Sequence, residues 1–353
     1  MRRAVVALFV LALAAAVVVR AKGGAPAERA AGGLATTTTV ALTTTPAEPT
    51  TAAAPTTVTV PTTTTTAAPA PPPTTPPPPP PPPPLPKALV SPRGVVMAVL
   101  GRAVGGFVVE TPCARRAMVA DGIAIHQATV VLDAGHGGAE PGAVSAGGLT
   151  ERSVNLAVVN HARDALERAG ISTALTRTAD YRVPLAGRAR IVSVLQPKAF
   201  VSVHHNAEPD GPRAGPGTET YYQVASPESK RLAGLIYEEV VRALSAYDIA
   251  WVADRDAGAK YRRNAAGDDY YGILRRTQGV PASLVELAFV SNPAEAALVA
   301  RADVQAVEGE AVARGIIRFL TTGDLGSGFV EPYPRDTPAG GGGGSGGCVD
   351  PPL

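Results

Sequence analysis

From Ala128 onward the chain alternates short apolar runs with longer segments whose apolar positions recur every three or four residues. That alternation predicts strands and amphipathic helices in turn, hence an α/β domain with a mostly parallel twisted sheet flanked by helices. Val130–Asp133 reads as the first strand. The helix after it runs Glu151–Ala169, with Thr150 as N-cap and Gly170 as its stop. Val154, Val158, Ala162 and Ala165 form the stripe expected to face the sheet. Ile171–Leu175 is the next strand and Leu185–Leu195 a helix. Ala199–Val203 is a strand that runs into His204-His205-Asn206-Ala207. Thr218–Gln223 reads as a strand, Pro227–Leu244 as a helix and Gly272–Leu274 as a short strand. Ser283–Leu287 is apolar but for Glu286, and helices Pro293–Ala300 and Val304–Leu320 complete a domain expected over 128–322.

Ahead of this pattern, residues 87–127 carry β-rich runs broken by glycine, Gly94–Leu100 and Gly106–Glu110, which predicts a small N-terminal β appendage. His126, isolated there, reads as a surface or structural residue. Residues 1–27 have the layout of a secretory signal: Met1-Arg2-Arg3, then an apolar run from Ala4 to Val19. The run suits a cleaved signal peptide and an uncleaved signal anchor equally, and both carry the chain out of the cytoplasm. Residues 28–86 are dominated by Thr, Ala and Pro, with prolines from 76 to 84. Such a segment buries too little apolar surface to fold. As polyproline II, at about 3.1 Å per residue, it would reach roughly 180 Å, so it reads as a disordered spacer. Secreted or tethered to a membrane, the domain is expected outside the cytoplasm, carried by the spacer into a surrounding layer.

Composition narrows the chemistry. The formal net charge is +2, with no run of Lys or Arg, which argues against nucleic acid. About 260 residues follow the spacer, enough for one domain with a proper core. A monomer is expected. The two cysteines, Cys113 and Cys348, form no Cys-x-x-Cys motif. In an exported protein they are candidates for a disulfide that pins the Gly-rich tail, 323–353, to the appendage; two free thiols are the alternative.

The chemistry concentrates around Thr129–Leu156, read as strand, glycine-rich turn and helix start. Open α/β sheets bind ligands outside the carboxyl ends of their strands. His136 lies three residues past the first strand, His204 ends another, Glu286 lies near the end of a third, and Glu151 opens the first long helix. Two His and one Glu make a catalytic type of zinc site, with a fourth position open for water. Glu286 is then the candidate proton carrier, because a charge inside an apolar run is costly without work or a partner. The bland alternatives are a buried ion pair for Glu286 and a satisfied loop pair for His204 and His205. His161 reads as a packed histidine. The glycines around His136 could cradle phosphate, but no Gly-x-x-x-x-Gly-Lys-[Ser/Thr] motif occurs and Glu151 would repel an anion.

Four blocks carry a family resemblance. They are Leu132–Gly138 with Pro141-Gly142-Ala143, then Glu151, then Phe200–Ala207, then Leu284–Asn292. In this order they resemble the zinc-dependent N-acetylmuramoyl-L-alanine amidases of the AmiC/CwlV-like family, over roughly Thr129–Leu320. Thr176-Arg177 and Gly217–Tyr222 are similar to weaker family features. Glu140, Lys198 and Ala288 depart from the family's usual residues, and none is one of the four chemical positions. The resemblance implies a Zn2+ cofactor held by His136, Glu151 and His204, with Glu286 catalytic. The implied partner is peptidoglycan or muropeptides, cut between N-acetylmuramic acid and L-alanine. Some relatives carry a helical plug over the site. None is apparent here, and 253–269 is the candidate lid segment. The competing readings are a zinc peptidase or carboxypeptidase acting on cell-wall peptides, and an inactive wall-binding regulatory module.

Overall fold

The computed structural model describes residues 81–333 and 346–353. The signal segment 1–27, the spacer up to residue 80 and tail residues 334–345 lie outside the described residues. Among the described residues no helix is long and apolar enough to cross a membrane.

The appendage is a five-stranded antiparallel sheet of β1 (Ala88–Val90), β2 (Val96–Ala103), β3 (Gly106–Glu110), β4 (Arg116–Val119) and β5 (Ile123–Ile125), ordered β4-β3-β2-β1-β5. Period-2 alternation gives it two apolar faces. Leu89, Met97, Val99 and Val109 pack with Tyr181 and Val183. Ala88, Val96 and Ala98 pack against Ile191, Val192 and Leu195. The Tyr181 hydroxyl accepts from Val96 N at 3.1 Å and lies 3.1 Å from the Gly94 carbonyl.

The main domain runs β6 (Val130–Ala134), α1 (Glu151–Arg168), β7 (Thr173–Leu175), α2 (Leu185–Leu195), β8 (Ala199–Asn206), β9 (Gly211–Arg213), β10 (Glu219–Tyr222), α3 (Pro227–Leu244), β11 (Trp251–Ala253), β12 (Ala259–Lys260), α4 (Gly272–Arg276), β13 (Ala282–Phe289), α5 (Pro293–Val299) and α6 (Ala302–Thr321). Its six-stranded sheet has the order β12-β10-β13-β8-β6-β7, and β9 pairs with β11 in a separate ribbon. Only β10–β13 is antiparallel, so the sheet is mostly parallel. Side-chain caps start α3 and α5, each just ahead of a proline: Ser226 Oγ accepts from Ser229 N at 3.1 Å and Asn292 Oδ1 from Ala294 N at 3.2 Å.

Alternation splits each central strand between two layers. Val130, Leu132, Val201, Val203, Val285 and Leu287 face a core shared with Val154, Leu235, Ile236, Val312 and Ile316 of α1, α3 and α6. Val131, Phe200 and Leu284 face the other way, onto Ile191 and Val192 of α2 and Ile273 and Leu274 of α4. Each large side chain so buried contributes on the order of 1.5–3 kcal/mol. Asp133, Ser202, His204 and Glu286 share the parity of the second layer. There they line a cleft at the carboxyl ends of β6, β8 and β13, together with Leu185 of α2 and Ile273 of α4.

Two expectations change. Gly272–Leu274 is not a strand but the start of α4. Ile273 and Leu274 both bury in one core, which neighbouring residues of a strand, pointing to opposite faces, could not do. The strand expected to end at Val203 continues to Asn206, so the two histidines lie in sheet rather than loop.

The tail end returns to the appendage. Cys113 and Cys348 are bonded, with Cα atoms 5.7 Å apart. The Asp350 carboxylate accepts from Thr111 Oγ1 and from Cys113 N, both at 2.9 Å.

Candidate active site

After β6 the chain turns through Gly135-His136-Gly137-Gly138, with φ of +61° at His136 and +57° at Gly138. A non-glycine residue in the left-handed region persists only where its surroundings hold it. Two buried arginines do so. Arg188, on α2, donates to the Asp133 carboxylate at 2.5 Å and to the carbonyls of Ala134 and His136 at 2.7 and 2.6 Å. Arg177, after β7, donates to the carbonyls of Ala134, Gly135 and Arg152 at 2.8, 3.0 and 2.8 Å. Burial, with Arg188 beside it, pulls the Arg177 guanidinium down to about 10, still cationic at neutral pH. Burial works to raise Asp133, but Arg188 and the hydroxyls of Ser202 and Thr176 hold its carboxyl below the usual range.

The helix start is fixed by the same loop. Thr150 stands at the N-cap, yet its hydroxyl bonds Ser153 Oγ instead of a backbone amide. Glu151 N and Arg152 N donate to the carbonyls of Ala143 and Pro141 at 2.8 and 3.0 Å. This locks Glu151 against the turn.

The Glu151 carboxylate lies between two imidazoles, with Oε2 3.2 Å from His136 Nε2 and Oε1 2.9 Å from His204 Nδ1. The rings are 5.0 Å apart and nearly perpendicular. One ligand atom from each residue lies within 4.8 Å of the others. Bonds of 2.0–2.1 Å at a tetrahedral angle put two donors about 3.3 Å apart, so the cluster could hold one small divalent cation. Burial works to raise Glu151, but hydrogen bonding to His136 and His204 keeps it well below the usual range. Burial lowers His204, favouring the neutral imidazole that binds a metal. The glycines make room for this group. A Cβ on Gly135 would lie 2.2 Å from His204 Cε1, and one on Gly142 would lie 2.3 Å from Glu151 Oε2.

Glu286 is in register with His204 across β8–β13 and with Glu219 across β10–β13. Its Oε2 is buried with no hydrogen-bond partner among the described residues. Burial, then the charges of Glu151, Glu219 and Asp254, push its pKa well above the usual range. An orphaned carboxylate oxygen is costly to keep. Glu286 lines a cavity of about 440 Å³ together with His136, His204, Leu185, Arg262 and Tyr270. A second acidic group, Glu219, Asp254 and Asp256, already has a cation: Lys260 Nζ lies 2.6 Å from Glu219 and 2.7 Å from Asp256.

The structure thus brings His136, Glu151, His204 and Glu286 to one cleft. It turns His205 to the opposite face, where Nδ1 lies 2.8 Å from Asn155 Oδ1 and Nε2 lies 3.4 Å from the buried Glu308. Asn155 in turn donates to Glu151 Oε1 at 3.2 Å. His161 packs beside Gly309 of α6, and His126 is exposed. The segment 253–269 is pinned by buried Lys260 and brings Arg262 to the cleft.

Sequence reading missed Arg188, Asn155 and Glu308. The signal was present: Arg188 occupies the first place of an apolar stripe with Ile191, Val192 and Leu195. Glu308 does the same between Val304 and Val312. A charge in a buried stripe needs a buried partner.

Comparison with known proteins gives the family. The family model described as N-acetylmuramoyl-L-alanine amidase (Amidase_3) matches residues 130–318. The chain is 34% identical over 207 residues to the uncharacterized protein YqiI of Bacillus subtilis, covering 58% of this chain and 88% of that protein. It is 33% identical over 216 residues to the endolysin of Bacillus phage SPP1, covering 60% of this chain and 73% of that one. Among solved structures it is similar to Cwp6 from Clostridium difficile, with a TM-score of 0.50 and 28% identity, over 57% of this chain and 32% of that chain. The family match spans more than half of the chain and encloses all four residues of the cleft, and the chain belongs to the N-acetylmuramoyl-L-alanine amidases, which act on the peptidoglycan of the cell wall.

Proposed function

We propose that this amidase works through one zinc ion held by His136, Glu151 and His204, with Glu286 as the proton carrier. The observation that carries the reading is the Glu151 carboxylate set between two imidazoles, beside a buried carboxylate oxygen with no partner. Two histidines and one carboxylate are the donor set of a hydrolytic zinc site with an open position. When bound, zinc supplies an acidified water and polarises the scissile carbonyl.

The chain's own residues supply the rest. His136 is held by its strained turn, and His204 by the packing of Gly135 against its ring. Glu286 accepts a proton from the attacking water and passes it to the nitrogen of L-alanine as the C–N bond breaks. One water is consumed, giving the lactyl carboxylic acid and a free amine. A carboxyl whose pKa is raised is suited to returning the proton it has taken. By its N-terminal sequence the enzyme works outside the cytoplasm, with the Thr/Pro-rich segment as spacer.

The test is digestion of purified peptidoglycan by the full chain, with and without a chelator, followed by mass spectrometry. Stem peptides with a free L-alanine amine are expected, and chelation abolishes them. Glu286→Ala should keep zinc and lose on the order of 10²–10⁴-fold in turnover. Wild-type turnover in that variant, or in metal-free enzyme, overturns the reading. Peptides cut internally would point instead to a zinc peptidase, and an intact polymer to a binding module.

A further inference from the structure

The cleft carries a cation that the chemistry above does not use. Among residues that line it, Arg188 is spent on Asp133 and on backbone carbonyls. Arg262 is not spent. Its guanidinium lies 3.7 Å over the Tyr270 ring. Among the described residues it donates no side-chain hydrogen bond and meets no carboxylate. The other cations of the same segment all have partners. Lys260 holds Glu219 and Asp256, Arg263 donates to the Gly267 carbonyl, and Arg275 donates to the Tyr270 carbonyl.

Arg262 is also held in place. Tyr270 N donates to the Arg262 carbonyl at 2.8 Å, and the backbones of Arg263 and Asp269 pair as an isolated antiparallel β-bridge. Asp269 is buried, and its Oδ1 accepts from Val224 N at 2.7 Å. Tyr270 leans on Tyr271, which packs on Tyr221 at 4.5 Å. A guanidinium stacked on an aromatic face keeps its planar N–H edge available, and that edge matches a carboxylate in two-point fashion.

The substrate has anions on one side only. The lactyl carboxyl of the muramic acid is consumed in the scissile amide, and the N-acetylated sugars carry no charge. Every free carboxylate belongs to the stem peptide. The first one beyond L-alanine is the α-carboxyl of a γ-linked second residue, free unless it is amidated.

We propose that Arg262, stacked on Tyr270, is the carboxylate-recognition residue of the cleft, binding the stem peptide through that free α-carboxylate. The peptide then lies along the 261–272 segment and the glycan away from it. This rests on the reading of the cleft as the amidase site.

The test uses the zinc-loaded full chain and two soluble muropeptides that differ only in a carboxylate or carboxamide at the second residue. A charge-assisted hydrogen bond gives wild type a preference for the acid on the order of ten- to a hundred-fold in kcat/KM. Arg262→Gln should lose that preference, with the acid substrate's KM rising and its kcat little changed. Zinc content and melting temperature are measured beside it. Equal use of both muropeptides by wild type overturns the proposal and leaves the amidase reading standing. So does an unchanged acid-to-amide ratio in a folded, zinc-loaded Arg262→Gln. Should Arg262→Gln fail to fold, Arg262→Lys, which keeps the charge but not the two-point edge, is read in its place: a reduced ratio is expected, and an unchanged one overturns the proposal. If wild type cuts neither muropeptide but cuts other bonds, the amidase reading itself falls, and the proposal with it.

Discussion

Gly135→Ala should dismantle the metal site while sparing the fold. The added Cβ would stand 2.2, 2.4 and 2.5 Å from Cε1, Nε2 and Nδ1 of His204. Carbon packs comfortably at about 3.5–4.0 Å, so the ring has to retreat by roughly 1 Å or more. Metal–nitrogen distances tolerate only about 0.2 Å, so on the zinc reading one of three protein ligands is lost. Disturbing a group that merely orients a ligand costs about 10–100-fold in metal affinity. Displacing the ligand itself should cost at least about 100-fold, near 2.7 kcal/mol at 1.36 kcal/mol per decade. The backbone gives no competing explanation, because Gly135 is not among the residues with positive φ. The assay is competition between the full chain and a chromophoric zinc chelator, with melting curves alongside. Gly101→Ala is the control, because its Cβ meets nothing within 4 Å and its φ is also not positive. Wild-type zinc affinity in a folded Gly135→Ala protein would refute the argument that the ligand occupies the space the glycine leaves.

Glu308→Ala removes the carboxylate 3.4 Å from His205 Nε2, a contact at ion-pair distance with no hydrogen bond formed and both side chains 0% exposed. Losing one partner of a buried polar contact costs about 1–3 kcal/mol, and at about 2–4 °C per kcal/mol for a domain of this size calorimetry should show a drop of roughly 2–12 °C. A melting temperature within a degree of wild type would show that the pair stabilises nothing. Alkylation of the unreduced, unfolded protein should add no label, and two labels should appear after reduction at Cys113 and Cys348. Two labels without reduction would mean free thiols.

What could be read from sequence was whatever depended on position along one element. His136 and His204 stand at strand ends, where an α/β sheet binds its ligands. Glu286 declared itself as the one charge in an apolar run. The choice of His204 over His205 came from the family resemblance, because the strand was expected to end at Val203; only its continuation to Asn206 lets period 2 separate the two. What could not be read was long-range pairing. Arg188 and Glu308 each interrupt an apolar helical stripe, but nothing along the helix names Asp133 and His205 as what stands opposite them. Arg262 lies 58 residues beyond His204 in an irregular, polar segment, and only the closure of that segment on Asp269 brings it to the cleft. Gly272–Leu274 misled because three residues are too few to show a period.

Register, more than the glycine turn, makes this site. Glu286 faces the cleft beside His204 because those two residues are paired across β13 and β8. A slip of β8 by one residue would exchange His204 for His205 and bring every apolar residue of the strand to the wrong layer. The buried pair of His205 and Glu308 opposes that slip, because His205 has its partners only on the helical side. Asn155 joins the two faces: its side chain meets His205 Nδ1 at 2.8 Å and donates to Glu151 Oε1 at 3.2 Å. The carboxylate that would bind the metal is therefore oriented from beneath by the same histidine that holds the strand in register. The strain at His136 is tolerable because everything it must meet is already fixed.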